Sequence, residues 1–179
     1  MKDIIRFEKV SESNFVKELI SAFGVDETAA KEIFRELPLP RRATVGSAGY
    51  DFFSPVDLNV APGETITIPT GIRAKMRDDC VLMLFPRSGL GFKYRMQLNN
   101  TVGIIDSDYY YSDNEGHIFV RITNDTNQNK ELQVSQFSGF VQGIFIPYLL
   151  TEDDSATMKR NGGFGSTTRE LRVKMESLR

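Results

Sequence analysis

The feature that most constrains the fold is a change of sequence pattern near residue 41. From there on, short apolar runs rich in β-branched and aromatic residues are separated by Gly, Pro, Asn and Asp. Short runs with turn residues between them are typical of the strands of a β-sandwich or jelly roll. The clearest runs are 65–68, 81–85, 118–122 and 143–146. The main part of the chain is therefore predicted to be all-β.

Residues 12–37 have a helical pattern instead. The apolar positions of the first predicted helix recur at helical spacing, namely Phe15, Val16, Leu19, Ile20 and Phe23. Gly24 breaks this helix, Asp26 can cap a second one that continues to residue 36, and Pro38 ends it. The apolar stripe must be buried, either against the chain's own β-domain or against another subunit or a partner protein.

Composition and charge limit the possible partners. A chain of 179 residues with 40% hydrophobic and 26% charged residues fits one soluble domain with or without an appendage. A net charge of −2 provides no basic surface for nucleic acid, so a polyanionic ligand would need a local basic cluster. Neither a signal peptide nor an apolar segment long enough to span a bilayer is visible. We therefore expect no nucleic-acid or membrane partner and a cytoplasmic protein, in the host cytoplasm if phage-encoded.

The chain has a single cysteine and a single histidine. One cysteine excludes an intramolecular disulfide and a multi-cysteine zinc site, and one histidine excludes a histidine-rich metal site. Cys80 precedes an apolar run and is interpreted as structural. His117 follows a turn and precedes a predicted strand, where a structural role is favoured over a lone acid–base role.

Two carboxylates follow the apolar run 102–105, which is predicted to be a buried strand. On an extended chain Asp106 and Asp108 would point to the same side, so both could face one pocket. Like charges placed together in this way need a cation, a water or a ligand to offset their repulsion. The alternative is a pair of solvated aspartates at the mouth of a β-hairpin.

Five sequence blocks carry a resemblance to a known family: 46–51 (GSAGYD), 86–93 (PRSGLGFK), 99–109 (NNTVGIIDSDY), 137–142 (FSGFVQ) and 160–167 (RNGGFGST). In this order, over roughly residues 37–168, they resemble the homotrimeric dUTPases, the all-β deoxyuridine triphosphate nucleotidohydrolases. The resemblance implies a dUTPase-like jelly roll or distorted β-barrel, with a short first strand at 4–7 and a small N-terminal helical insertion at about 12–37. It implies one domain over 1–168, with a flexible C-terminal arm and tail over 158–179.

The resemblance also implies a reaction. Members of this family hydrolyse dUTP to dUMP and pyrophosphate through water attack on the α-phosphorus, with Mg²⁺ as cofactor. By resemblance, Asp106 orients and deprotonates the water, and Asp51 holds the hydrated Mg²⁺ through a water molecule. The family is homotrimeric, and each active site draws on three chains, so the arm of one subunit would cover a pocket made by the other two.

Three groups of substrate-binding residues follow from the same resemblance. Those expected to contact the phosphates are Arg87, Ser88, Gly89 and Gln142. Those expected to form the uracil and deoxyribose pocket, in a hairpin over 100–109, are Asn100, Gly103, Ile105 and Tyr109. Tyr109 would leave no room for a 2′-hydroxyl. Those expected on the arm are Arg160, Phe164, Gly165 and Ser166, with the Phe164 ring stacked on uracil.

Several features depart from the family pattern. They are the helical insertion, a longer loop over 110–116, an atypical fourth block at 137–142 and an arm that is one residue shorter before Phe164 and has Thr168 where glycine is usual. Two alternative functions stay open. One is a dCTP deaminase or a bifunctional dCTP deaminase and dUTPase. The other is a non-catalytic trimeric nucleotide-binding regulator, with a protein partner bound through the helical insertion.

Overall fold

The computed structural model describes residues 5–157. Its helices are α1 (Glu12–Phe23), α2 (Glu27–Glu36) and α3 (Ser88–Tyr94), with a 3-10 helix at Ser107–Tyr111. Its strands are β1 (Arg6–Lys9), β2 (Tyr50–Phe53), β3 (Leu58–Val60), β4 (Thr65–Pro69), β5 (Ile72–Lys75), β6 (Cys80–Pro86), β7 (Met96–Leu98), β8 (Gly103–Ile105), β9 (Phe119–Asn124), β10 (Leu132–Val134) and β11 (Gly139–Pro147). Within this range, no helix has both the length and the apolar character that a bilayer crossing requires.

The described strands pair antiparallel in four sheets. The largest has the order β2-β11-β6-β8, the next has the order β4-β9-β7, and two further pairs are β1-β5 and β3-β10. Buried apolar side chains from the sheets and from α1 form one cluster, which includes Phe15, Phe52 and Phe140. The prediction of an all-β fold with a small helical insertion is confirmed.

Both helices of the insertion begin and end where their sequences predict. The Ser11 hydroxyl accepts a hydrogen bond from the Asn14 N–H at 3.2 Å, and Gly24 ends α1 with a left-handed φ of 65°. The Asp26 carboxylate accepts from the Ala29 N–H at 3.0 Å and caps α2. Leu37, immediately before Pro38, follows α2 as its C-cap.

The insertion packs on the chain's own β-domain. The buried residues of α1 are Phe15, Val16 and Leu19. The centroids of the Phe15 and Phe34 rings are 5.4 Å apart. A Cβ atom at Gly71, before β5, would lie 2.8 Å from side-chain atoms of both Phe15 and Leu37. The described structure therefore favours internal packing of this stripe over burial against a partner.

Two details of the predicted elements are corrected. Ile20 is 36% exposed and does not extend the buried stripe of α1, because its neighbour Leu19 occupies the inward position. The first strand was expected over 4–7, but β1 covers Arg6–Lys9. Its position is set by pairing with β5, which places Arg6 opposite Lys75 and Lys9 opposite Ile72.

The expected hairpin around residues 100–109 is wrong in its pairing. β7 pairs with β9, whereas β8 pairs with β6, so the turn over 99–102 passes from one sheet to another. Thr101 adopts a left-handed φ of 64° in this turn. The crossing opens a space between the two sheets beside β8.

Candidate active site

A cavity of about 670 Å³ lies beside β8. All of the residues expected to form the base and sugar pocket line it, together with the expected catalytic residue, namely Asn100, Gly103, Ile105, Asp106 and Tyr109. In the described sheet, β8 has β6 on one side and no strand on the other. An edge strand presents unpaired backbone N–H and C=O groups, which is the equipment needed to read the edge of a base.

Asp106 and Asp108 do not share this cavity. The chain leaves the extended conformation at Asp106, which is the N-cap of the 3-10 helix, and Asp108 lies in the first turn of that helix. The expectation that both face one pocket is therefore wrong, because the alternation of an extended strand stops at the helix. Of the two, only Asp106 lines the cavity. Its side chain makes no capping hydrogen bond to the helix.

Tyr109 is buried and its hydroxyl is fixed from two sides. The hydroxyl donates to the His117 carbonyl oxygen and accepts from the Asn114 side-chain amide, each at 2.8 Å. Its two neighbours were interpreted as core or interface aromatics. Tyr110 donates its hydroxyl to Glu8 at 2.7 Å, whereas Tyr111 is 70% exposed. Tyr109 is the one of the three tyrosines that lines the cavity.

A second cavity, of about 490 Å³, lies where α3 follows β6. The expected phosphate-binding residues and the expected magnesium-holding residue all line it, namely Asp51, Arg87, Ser88, Gly89 and Gln142. Strand pairing brings them together, because Gln142 lies opposite Asp51 on one side and opposite Phe85 on the other. Arg87 is the N-cap of α3, so Ser88 and Gly89 form its first turn.

Close backbone approaches shape the second cavity. A Cβ atom at Gly49 would lie 2.4 Å from the Gln142 side-chain oxygen, and one at Gly139 would lie 2.8 Å from the Arg87 guanidinium. Arg87 donates to the Gly139 carbonyl oxygen at 3.0 Å. Glycine at these two positions therefore gives the Gln142 and Arg87 side chains the room that they occupy.

Asp51 is the residue of the second cavity that is expected to hold a magnesium ion. Its carboxylate pairs with the Arg87 guanidinium at 3.3 Å and is largely enclosed. Among residues 5–157 there is no cluster of three or more acidic, cysteine or histidine side chains that could hold a metal. Mg²⁺ usually binds through one or two carboxylates, several waters and substrate phosphates. A single carboxylate beside the residues expected to contact phosphates fits this mode of binding, so Asp51 fits the ion.

The two cavities share no lining residue, so the described single chain does not join them into one site. The expected arm residues Arg160, Phe164, Gly165 and Ser166 lie outside the described residues.

Sequence reasoning missed several lining residues. Lys93 lines the second cavity from α3, one helical turn after Gly89, and Arg121 lines the first from β9. Arg121 donates to the Thr67 hydroxyl at 3.0 Å across the sheet. The helical spacing from Gly89 was the available signal for Lys93. The sequence gives no comparable signal for Arg121, because its position depends on the pairing of β9 with β4.

Neither Cys80 nor His117 lines either cavity. Cys80 is buried, and burial raises the pKa of its thiol. His117 is fully buried, and burial lowers the pKa of its imidazole to about 4, with a smaller opposing effect from Glu115. Both side chains are thus held in their neutral forms in the interior, which agrees with the structural role predicted for each.

Comparison with known proteins agrees with these motifs. The dUTPase family model matches residues 35–168. The deoxyuridine 5′-triphosphate nucleotidohydrolase of Lactococcus lactis subsp. lactis (strain IL1403) is 42% identical over 132 residues, which cover 72% of this chain and 87% of that protein. The protein of the same name from Escherichia coli O45:K1 (strain S88 / ExPEC) is 38% identical over 144 residues, covering 76% and 91%.

Solved structures agree as well. The dUTPase of Streptococcus mutans superimposes with a TM-score of 0.60 at 33% identity, covering 82% of this chain and 98% of that one. A mutant dUTPase from phage phi11 of S. aureus, described as coordinating a structural Mg(II) ion, gives a TM-score of 0.58 at 18% identity, covering 87% and 97%. The second likeness shows the fold alone. The family model and the 42% identical relative show that this chain belongs to the dUTPase family.

Proposed function

We propose that the protein hydrolyses dUTP to dUMP and pyrophosphate. The observation that carries this proposal is the grouping of the motif residues. Every expected base, sugar and catalytic residue within 5–157 lines one cavity, and every expected phosphate residue there lines the other. Chance placement of motif-like residues would not sort them by chemical task.

Asp106 is the general base in this proposal. It stands at the end of β8, on the wall of the larger cavity, where the strand gives way to the 3-10 helix. A carboxylate there can accept a proton from a water that attacks the α-phosphorus. The bond from that phosphorus to the pyrophosphate oxygen breaks as the bond to water oxygen forms, and no covalent enzyme intermediate is needed.

The smaller cavity provides the electrostatic part of the reaction. Arg87, Lys93, the Gln142 amide and the backbone at Ser88 and Gly89 surround it and supply hydrogen-bond donors for phosphate oxygens. A bound Mg²⁺ would supply positive charge to the phosphates and so favour the departure of pyrophosphate. Asp51 would hold it through a water molecule. Because Asp51 pairs with Arg87, a bound phosphate would compete for the guanidinium and release the carboxylate toward the ion.

The larger cavity provides selectivity. The unpaired edge of β8 would form hydrogen bonds with the uracil edge, with Asn100 supplying a side-chain contact. Cytosine has an amino donor at position 4, where uracil has a carbonyl acceptor. This difference would leave buried polar groups unpaired. Gly103 and Ile105 contribute backbone groups, and the Tyr109 ring occupies the space that a 2′-hydroxyl would need.

Assembly and location complete the proposal. The enzyme is a homotrimer in which one chain supplies the larger cavity, a second supplies the smaller one and a third supplies the arm. The domain covers 1–168 and the arm and tail cover 158–179, with Phe164 over the base and Arg160, Gly165 and Ser166 near the phosphates. The protein acts in the cytoplasm, or in the host cytoplasm if phage-encoded.

A panel of nucleotides tests this function. Purified wild-type protein is incubated with dUTP, dCTP, UTP and dTTP in parallel, with Mg²⁺, and pyrophosphate release and base deamination are both measured. We expect pyrophosphate from dUTP alone at a high rate and no ammonia from dCTP. Deamination of dCTP would support the deaminase alternative, and tight dUTP binding without turnover would support the non-catalytic regulator.

A further inference from the structure

The two stretches that depart most from the family pattern contact each other. The helical insertion contributes the first turn of α1. The longer loop, with the residue that follows it, contributes residues 112–117, called here the 112–117 segment. Its backbone adopts an unfavourable conformation, because Glu115 and Gly116 both have positive φ values, 64° and 71°. A Cβ atom at Gly116 would lie 2.8 Å from the Tyr110 backbone. Such a conformation needs support from outside the segment.

Ser11 supplies part of that support. Its backbone N–H donates to one Glu115 carboxylate oxygen at 2.7 Å, and its hydroxyl donates to the other at 2.6 Å. The same hydroxyl accepts from the Asn14 N–H as the cap of α1. Glu115 is thus fixed to the start of the insertion helix.

Asn14 supplies the second connection. Its side-chain N–H donates to the Asn114 carbonyl oxygen at 3.1 Å. Its side-chain oxygen lies 2.9 Å from His117 Nδ1, while His117 Nε2 accepts from the Gly71 N–H at 2.9 Å. Because Nε2 is an acceptor, the proton of the neutral ring is on Nδ1, and Nδ1 donates to Asn14.

The segment held by Asn14 then holds Tyr109. The His117 carbonyl oxygen accepts from the Tyr109 hydroxyl, and the Asn114 amide donates to that hydroxyl and, at 3.2 Å, to the His117 carbonyl. Ser112 closes the network by donating to the Asn114 side-chain oxygen at 2.7 Å. A continuous path of hydrogen bonds therefore runs from Asn14 on α1 to the wall of the larger cavity.

We infer that Asn14 is a positioning residue for Tyr109, and that the helical insertion sets how strictly this enzyme excludes a ribose. The inference rests on the proposed function and adds to it a residue outside the motif blocks. Asn14 does not line either cavity, so its influence on substrate selection passes through Asn114 and His117. Without Asn14, the Asn114 carbonyl and the His117 ring each lose a partner, and the Tyr109 ring gains freedom to yield to a 2′-hydroxyl.

The test is the ratio of kcat/KM for UTP to kcat/KM for dUTP in Asn14→Ala. We expect this ratio to rise about 2- to 10-fold. Asn14→Ala removes two hydrogen bonds from the 112–117 segment, and the share of their stabilisation that reaches the Tyr109 ring is taken as that of one hydrogen bond of ordinary strength. Asn114→Asp removes the amide donor to Tyr109 and keeps an oxygen for Ser112, and it should raise the ratio by a similar factor. The control is Lys17→Ala, also on α1, whose side chain is 80% exposed and is paired with Glu18; its ratio should equal that of the wild type.

A second measurement does not depend on activity. His117 is the single histidine of the chain, so isotope-labelled histidine gives one set of imidazole NMR signals. We expect the Nδ1–H tautomer in the wild type and a changed Nδ1 signal in Asn14→Ala but not in Lys17→Ala. An unchanged nucleotide ratio in folded Asn14→Ala and Asn114→Asp would overturn the inference while dUTP hydrolysis stood. A wild type that does not hydrolyse dUTP would overturn the proposed function, and the NMR result would still show whether Asn14 contacts His117.

Discussion

Tyr109 is both a core residue and part of the wall of the larger cavity. Its hydroxyl is committed to His117 and Asn114, so the ring cannot rotate away without breaking two hydrogen bonds. Its other side lines the larger cavity. A fixed ring of this kind can select by exclusion, because a larger ligand cannot push it aside cheaply.

Tyr109→Ala should therefore change selectivity rather than activity alone. We expect the ratio of kcat/KM for UTP to kcat/KM for dUTP to rise by about tenfold or more, even if both values fall. Phe164→Ala is the informative comparison, since loss of base stacking should weaken both nucleotides alike, by about 5- to 150-fold. If the ratio stays constant in Tyr109→Ala, sugar selection resides elsewhere, most simply in the β8 backbone.

Asp106 supports a prediction about chemistry at the same scale. Asp106→Asn should bind dUTP nearly as well as the wild type, because the amide keeps the shape and can still hold a water. It should lose on the order of 10²-fold or more in kcat, because an amide does not accept the proton. Single-turnover kinetics and a separate binding titration with a non-hydrolysable dUTP analogue measure the two effects. Near-normal kcat would remove Asp106 from the role of general base.

At the scale of secondary-structure elements, the helical insertion is joined to the β-domain by apolar packing and by a polar network that is part-buried at Asn14 and exposed at Ser11. Phe15 and Leu19 supply the packing, and Asn14 and Ser11 supply the polar contacts to the 112–117 segment. Buried polar networks are costly unless every member is satisfied. Among the described residues, no buried side-chain nitrogen or oxygen lacks a hydrogen-bond partner.

His117 gives this junction a pH dependence. Its pKa is about 4 in the folded protein, because burial disfavours the charged ring, against an ordinary value of 6.5. Between these values the unfolded chain binds a proton that the folded chain does not, so stability falls as the pH falls from about 6.5 to about 4. The loss attributable to His117 is at most about 3 kcal/mol.

Urea unfolding at a series of pH values, with an NMR titration of the single histidine, measures this effect. The titration of Glu8 does not contribute to the pH dependence of stability above pH 5. The hydroxyl of Tyr110 first, and then Arg6 and Arg73, lower the pKa of Glu8 to about 2, so its contribution is lost only between 4.5 and 2. His117→Gln should reduce the slope between pH 5 and 6.5. A titration midpoint near 6.5 in the folded protein would contradict the buried, neutral ring.

The elements differ in how far sequence reasoning could predict them. Capping residues and apolar spacing were local signals, so α1, α2 and the centres of the main strands could be predicted. The partners of β7 and β8 could not, because a turn such as 99–102 looks the same whether its strands pair with each other or with different sheets. The prediction that Asp108 faces the same pocket as Asp106 failed for a related reason. Nothing in the local sequence distinguishes the end of a strand from the start of a 3-10 helix.

The same limit applies to the candidate site. Residues inside motif blocks, such as Arg87 and Gln142, could be predicted because their order along the chain matches a family pattern. Asn14 and Arg121 could not, because their roles depend on contacts between parts of the chain that are far apart in sequence. The network from α1 to Tyr109 joins residues separated by about a hundred positions, as the Asn14–His117 contact shows.

At the scale of the whole molecule, the separation of the two cavities is the central fact. One cavity is lined by the residues proposed for the base, the sugar and the attacking water, and the other by those proposed for the phosphates, yet the two share no lining residue within the described chain. A nucleoside triphosphate needs both. A symmetric trimer satisfies this need when the larger cavity of one chain faces the smaller cavity of the next.

Complementation between two inactive variants tests this arrangement most directly. Asp106→Asn damages the larger cavity and Arg87→Ala damages the smaller one, so each variant alone should hydrolyse dUTP very poorly. The two are co-refolded in equal amounts, and native mass spectrometry checks that mixed trimers form. If neighbouring chains supply the two halves, random assembly restores an intact pair at about a quarter of the sites. We predict about a quarter of the wild-type rate of pyrophosphate release from dUTP, whereas verified mixed trimers no more active than the separate variants would contradict a site shared between chains.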